Sequence, residues 1–322
     1  MIASARPTFE RERTKMQISA EMVRELREKT GAGMMDCKKA LTETGGDAEA
    51  AVDVLRKKGL AAAAKKSSRI ASEGTVAASV AVASGTLVEI NCETDFVART
   101  DDFQEFARQV AATVNEKGPK DIEESLLLPG AGEVPLGTML NEKVAKIGEK
   151  ISFRRFVRFA LPAGAEGVIV PYIHAGGKIG VLVELLGAGQ GDAEFVALGK
   201  DMAMQVAAAN PMYVFREDVP AAAVEREKAI YREQALAAGK PEKILDRIAE
   251  GKLEKYYGDF CLLEQPYIKD PERTVNDLLK EMAAKRGVAV RVGRFARFQV
   301  GEGLVKRSDD LAAEVAKQLN RG

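Results

Sequence analysis

The sequence predicts an α+β protein: an N-terminal three-helix module, then a duplicated α+β core with antiparallel sheets and an inserted antiparallel helical hairpin. Three observations predict it. Three capped segments of helical periodicity precede residue 60. From Gly74 the chain runs twice through strand, strand, helix, helix, strand. The second pass also carries a long polar helix-turn-helix stretch that the first lacks.

The N-terminal stretch MIASARPTFERERTK has no apolar run resembling a signal peptide, and Glu10 and Glu12 argue against a transit peptide. It reads as a disordered tail over 1–16. Ordered patterning begins just after Met16, itself a candidate start. Ser19 caps a first helix bearing Val23 and Leu26, which ends in Thr30-Gly31-Ala32-Gly33. A second helix, Met34 to Thr44, stops at Gly45-Gly46. Asp47 caps a third, with Ala48, Ala51, Val52 and Leu55 inward and Gly59 closing it. The module therefore spans 17–59. Three short helices bury little apolar surface, so such a bundle needs another surface to lean on. Residues 60–73, rich in Ala and Lys, read as an exposed helical linker.

The repeat begins next. SGTLVEI (Ser84 to Ile90) returns as KIGVLVEL (Lys178 to Leu185), and DFQEFARQVAA (Asp102 to Ala112) as ALGKDMAMQVAA (Ala197 to Ala208). RRFVRF (Arg154 to Phe159) returns as GRFARF (Gly293 to Phe298), each copy preceded by a helical segment. Two copies of strands and helices in this order imply antiparallel sheets. The boundaries follow: 74–162 for the first copy, 163–308 for the second, and a C-terminal helical segment at 309–322. Within the second copy, 217–257 forms helix, turn, helix around Gly239-Lys240-Pro241. Its apolar positions are sparse: Val224, Ile230, Ala235, Ile244, Ile248 and Leu253. That seam suits a protruding hairpin.

Composition narrows the function. The chain has 322 residues, 46% of them apolar and 30% charged, and no formal net charge, so nothing calls for nucleic acid or an anionic membrane. No apolar run approaches the ~20 residues of a membrane span. Cys37, Cys92 and Cys261 are widely separated and form no C-x-x-C, as in a reduced, cytoplasmic protein. His174 is the one histidine, which removes most histidine-based metal sites and leaves no partner motif for a dyad.

The repeat also acts as an internal control. At the strand-to-helix connection the first copy reads NCETDFVARTDD and the second LGAGQGDAE. A helix starts near Asp101, read as the N-cap with Gln104 three residues on, and carries Phe103, Phe106, Ala107, Val110 and Val114 inward. Phe96 lies ahead of that face, between Asp95 and Val97. It either plugs this chain's core or enters another's. The second copy closes its connection with glycines, which argues against a core plug. Asp95 is alternatively a plain helix cap. Met34 and Met35 suit either core packing or an adaptable docking face. Arg24 and Arg27 share a helix face and on their own read as a solvated stripe. A lone His174 is more often structural than functional.

Several stretches imitate nucleotide or RNA sites. GAGQGD puts Asp192 where G-x-G-x-x-G needs its third glycine, and GGKI lacks the upstream glycine and the Ser/Thr of a phosphate loop. No direct nucleotide binding is expected. Lys57, Lys58, Lys65, Lys66 and Arg69 read as a solvated face. RRFVRF imitates an RNA-binding strand but is sufficiently explained as a half-buried one.

TGAGMMDCKKAL (from Thr30), NCETDFVART (from Asn91), YIHAGGKIGVLVEL (from Tyr172), LLEQPYIKD (from Leu262) and RFQVGEG (from Arg297) closely resemble elongation factor Ts, in that family's order. With the patterns between them they cover nearly everything after Met16. The resemblance implies that the N-terminal module is UBA-like, and that the protein is no enzyme but a guanine nucleotide exchange factor for the GTPase elongation factor Tu, with no cofactor. It carries a partner role near the GTPase's Mg²⁺ and switch region to Thr94, Asp95, Phe96 and Val97. It carries docking roles to Arg24, Arg27, Met34, Met35 and Lys38 of the module, and to His174 of the second copy. Lys269 departs from the apolar residue often found there in the family.

Overall fold

The computed structural model describes residues 18–30, 32–189 and 191–305. The tail at 1–16, the start at Met16 and the helical segment at 309–322 lie outside them. The protein is a mixture of helices and antiparallel sheets and divides into two compact units. One comprises the described residues up to Arg69 together with Gly137–Lys150. The other comprises Ile70–Leu136 and the described chain from Ile151 on.

In the first unit, α1 (Ala20–Thr30) begins at Ser19, whose hydroxyl accepts from the Met22 N–H at 3.2 Å. α2 (Met34–Glu43) buries Cys37, Ala40 and Leu41 and ends where Gly45 and Gly46 take positive φ. α3 (Ala48–Lys66) starts at Asp47, whose carboxylate accepts from the Ala50 N–H at 3.0 Å. Val23, Leu26, Cys37, Ala40, Leu41 and Ala51 form the core. Gly59 does not close α3, as its residue type suggested. The helix runs through it to Lys66 without a separate linker helix, and Gly59 is buried. The reason lies far along the chain: a Cβ at Gly59 would come within 3.4 Å of the Asn141 carbonyl oxygen, in the helix Leu136–Ile147. Residues 137–150 thus supply the surface that the small bundle leans on, and they group with it rather than with the stretches 70–136 and 151 on that flank them.

In the second unit, β1 (Glu73–Val80), β2 (Ser84–Cys92) and β3 (Ser152–Ala160) form one antiparallel sheet with β2 central. Between β2 and β3 lie α4 (Asp95–Ala98), α5 (Asp101–Lys117), α6 (Ile122–Leu127) and α7, the helix Leu136–Ile147. β4 (Gly167–His174), β5 (Ile179–Leu186) and β8 (Arg291–Gln299) form a second antiparallel sheet with β5 central. Between β5 and β8 come α8 (Ala193–Ala209), α9 (Ala221–Ala237), α10 (Leu245–Phe260), the short strands β6 (Pro266–Tyr267) and β7 (Asp270–Thr274), and α11 (Val275–Arg286). α5 lays Phe103, Phe106, Ala107, Val110 and Val114 inward, and α8 does so with Phe195, Leu198, Met202 and Val206. The cap of α5 is Thr100, not Asp101: the Thr100 hydroxyl accepts from the Phe103 N–H at 3.4 Å, leaving Asp101 exposed in the first turn. The α9–α10 hairpin turns at Gly239, φ 72°, and runs on to Phe260. Ala235, Leu245, Ala249 and Leu253 are buried along it, whereas Ile230 is exposed. At its base, Arg216 binds Glu264 at 2.6 Å and Glu254 at 3.1 Å and lies over the Tyr257 ring.

The two sheets interlock reciprocally. A Cβ on Gly85 of β2 would lie 2.5 Å from the Ile169 Cγ2 of β4, and one on Gly180 of β5 would lie 2.3 Å from the Val76 Cγ1 of β1. Each central strand therefore gives way to a branched side chain of the opposite sheet. Each also carries a buried glutamate, Glu89 in β2 and Glu184 in β5, opposite a bulge in the neighbouring strand, where Arg154 of β3 and Gly293 of β8 are the extra residues. Arg155 binds Glu89 at 2.6 Å and lies over Phe298 of the other sheet, while Arg294 binds Glu184 at 2.8 Å and lies over Phe159. Glu89 also takes Arg154, Asn91 and the Gly301 N–H. Burial pushes its carboxyl up, but the bonds from Gly301, Asn91, Arg155 and Arg154 together hold it below the ordinary 4.5.

A depressed carboxyl stabilises the fold above its ordinary pKa, and that contribution is lost as pH falls through the folded value. Glu89→Gln is expected to cost about 2–3 kcal/mol at neutral pH, less than for a fully buried pair because both arginines reach water. Denaturant titrations should show the gap from wild type shrinking as pH falls below 4.5.

Candidate functional site

β2, the central strand, ends at the buried Cys92, and two residues later the chain turns into α4. Thr94 caps that turn, its hydroxyl accepting from the Val97 N–H at 3.4 Å. Ala98 faces inward and is buried. Phe96 faces away and is 81% exposed, so it fills no part of this chain's core. Asp95 and Val97 are half-buried beside it. Asp95 pairs with Arg99 at 2.9 Å, one helical turn on and exposed. Such a pair is worth roughly 0–1 kcal/mol and exchanges partners readily.

The turn is braced from below. The Gln104 side-chain amide, on α5, donates to the Ala98 carbonyl at 2.6 Å, and Thr75 of β1 lies 3.4 Å from the Gln104 Oε1. Gln104 entered the sequence reading only as a capping partner of Asp101. Its bond reaches six residues back across a helix start, and no local pattern announces it. Thr75 is fully buried and pressed from its other side by the β4–β5 turn: a Cβ on Gly177, φ 92°, would sit 2.0 Å from the Thr75 Oγ1. That turn starts at His174, exposed, with its Nδ1 3.0 Å from the Tyr172 hydroxyl and its ring stacked on the tyrosine. Lys178 fastens the turn to β1 through Glu73 at 2.5 Å.

In the other unit, Met34 and Met35 open α2 at 59% and 63% exposure, which removes both from the core. Lys38, one turn on, is exposed, as are Arg24 and Arg27 on α1. Arg24 forms a loose pair with Glu28 at 3.8 Å.

The imitations resolve structurally. Gly176 and Gly177 belong to the hairpin turn, with Lys178 engaged by Glu73. The arginines of β3 serve this chain: Arg154 and Arg155 hold Glu89, and Arg158 donates to the Asn115 carbonyl at 2.9 Å. Among the described residues no three His, Cys, Asp or Glu side chains cluster to hold a metal ion. No described helix is long and apolar enough to cross a membrane. The three cysteines are buried and form no disulfide, and burial pushes the Cys261 thiol up to about 11.

Residues 93–302, from just before the braced turn through the last strand, match the family model described as Elongation factor TS. The class is therefore that of translation elongation factors, acting in protein biosynthesis. The chain is 52% identical over 309 residues to the elongation factor Ts of Trichlorobacter lovleyi, covering 94% of this chain and 98% of the relative. It is 51% identical over 302 residues to that of Syntrophotalea carbinolica, covering 94% and 99%, and 49% identical over 307 residues to that of Clostridium botulinum strain Eklund 17B, covering 94% and 100%. The chain belongs to the elongation factor Ts family.

The tight approach behind the turn gives a direct check. Gly177→Ala is expected to cost about 2–4 kcal/mol, from a clash with Thr75 added to the left-handed backbone. Gly176→Ala shares the positive φ but meets nothing within 4 Å, and should cost about 1 kcal/mol. Thermal melts of the two variants make the comparison.

Proposed function

We propose that this protein is a guanine nucleotide exchange factor that binds the GTPase elongation factor Tu in its GDP form and promotes GDP release. Its frame is read as a UBA-like three-helix module and a duplicated α+β core. It works without a cofactor, forms no covalent intermediate, binds neither nucleotide nor nucleic acid itself, and acts in the cytoplasm. The observation that carries the reading is the Phe96 ring, almost wholly exposed on a turn braced by buried groups. A large apolar side chain held in water at a cost in solvation has its natural use in another protein's interior.

Exchange of this kind is a binding problem. The factor must prefer the nucleotide-free GTPase to the loaded one, and the affinities of factor and nucleotide are then reciprocally coupled. Inserting Phe96 where the Mg²⁺ and switch region must distort to admit it converts burial energy into that preference. One buried Phe supplies about 1.5–3 kcal/mol, and each 1.4 kcal/mol is a tenfold shift between states. Asp95, tied only to an exposed arginine one turn on, is free to change partners as the ring enters. Thr94 and Val97 complete the wedge by fixing its turn. Met34 and Met35 offer polarisable, adaptable side chains for docking, with Arg24, Arg27 and Lys38 as charged surroundings. His174 is assigned to a further contact at the β4–β5 turn.

Labelled-GDP release from elongation factor Tu at saturating factor tests the reading. Phe96→Ala should slow release about ten- to a hundredfold. Its exposure means that the variant's own melting temperature should stay near that of wild type. Equal release by the two proteins would leave at most a binding scaffold.

A further inference from the structure

α4 is a single turn, too short to hold its shape in water unaided, yet it carries Phe96. Most of its carbonyls bond within the same few residues: Thr94 to the Ala98 N–H, Asp95 and Phe96 to that of Arg99, and Val97 to both the N–H and the hydroxyl of Thr100. Bonds so local move with the turn and do not fix it to the frame. At its start the Cys92 thiol reaches the Thr94 carbonyl at 3.1 Å, a weak tie. At its end the Ala98 carbonyl accepts from Gln104, a shorter bond at 2.6 Å from a helix anchored by Phe103, Phe106 and Ala107.

The Gln104 amide has one useful orientation. Reversed, its oxygen would face the Ala98 carbonyl oxygen with no proton between them. Thr75 stands at the other end with a hydroxyl that donates to the Gln104 Oε1, and that hydroxyl occupies the space a side chain at Gly177 would need. The chain of contact Gly177, Thr75, Gln104, Ala98 thus runs from the turn bearing His174 to the turn bearing Phe96.

Resting on the exchange reading above, we propose that Gln104 is a positioning residue for the wedge, with Thr75 holding its amide in place. Gln104 keeps the Phe96 turn ordered before the partner arrives, so little conformational freedom is lost when the ring enters. Without the bond the Ala98 carbonyl turns to water, the turn frays, and docking must restore it.

The test uses the full chain and release of labelled GDP from elongation factor Tu at saturating factor, with Gln104→Met and Thr75→Val each made in wild-type and Phe96→Ala backgrounds. Gln104→Met keeps length and volume and removes the hydrogen bonds; it should slow release about three- to tenfold, the net worth of one such bond. Thr75→Val should slow it in the same direction by about twofold, and it carries the cycle should Gln104→Met fold poorly. In the Phe96→Ala background both effects should vanish, which a general loss of structure would not produce. Wild-type release by Gln104→Met, with Phe96→Ala slow, overturns the positioning role and leaves the exchange reading standing. Equal slowing in both backgrounds also overturns it. Failure of the wild-type chain to accelerate release overturns both.

Discussion

The second unit depends on a reciprocal clasp between its two sheets. At each central strand a glutamate is buried at a bulge, an arginine from the neighbouring strand binds it, and that arginine lies over a phenylalanine of the opposite sheet. A buried carboxylate is tolerated only with charged partners and hydrogen bonds, and a guanidinium stem is tolerated against an apolar ring. The clasp meets both demands at once: each glutamate is held by an arginine of its own sheet, and that arginine packs on a ring of the other. Gly85 and Gly180 make the approach close enough for this, since a side chain at either position would push the sheets apart.

What the clasp fixes is the course of β2. As the central strand of its sheet, β2 is hydrogen-bonded along both edges, so its end is placed more firmly than that of an edge strand. The exposed turn follows that end after two residues. The result joins opposite properties: an apolar ring in water, mounted just past the end of a strand paired along both edges. The Asp95–Arg99 pair belongs to the soft side of this arrangement, and the Gln104 and Thr75 contacts to the rigid side.

Much of this was legible in the residues. Helical spacing located α5 and α8, and the returning Leu-Val-Glu marked the two central strands. The contrast between the two strand-to-helix connections argues Phe96 out of the core, and the five resembling segments point to the right family. The failures share one cause, dependence on residues distant in sequence or on a choice between neighbours. Gly59 reads as a helix stop, and only a helix some eighty residues later explains why it continues one. Thr100 and Asp101 are both good caps in adjacent positions, and backbone direction alone chose between them. Ile230 matched an apolar seam by spacing but is exposed, whereas Ala235 and Leu253 of the same seam are buried, joined by Leu245 and Ala249, which the spacing did not mark. The strands β6 and β7 are too short, and β7 too polar, to alternate detectably.

The counterpart of the Phe96 turn is the connection between β5 and α8, where side chains added at Gly189 and Gly191 would meet only open space. The ends of that connection are held, Gly187 lying close to the Ala289 carbonyl and Asp192 capping α8 and binding Arg286, but at Gly189 and Gly191 it has room for a side chain. It is a natural port for a reporter: a fluorophore or short epitope placed there would ride on the body that carries the aromatic ring while leaving the ring's own mounting untouched.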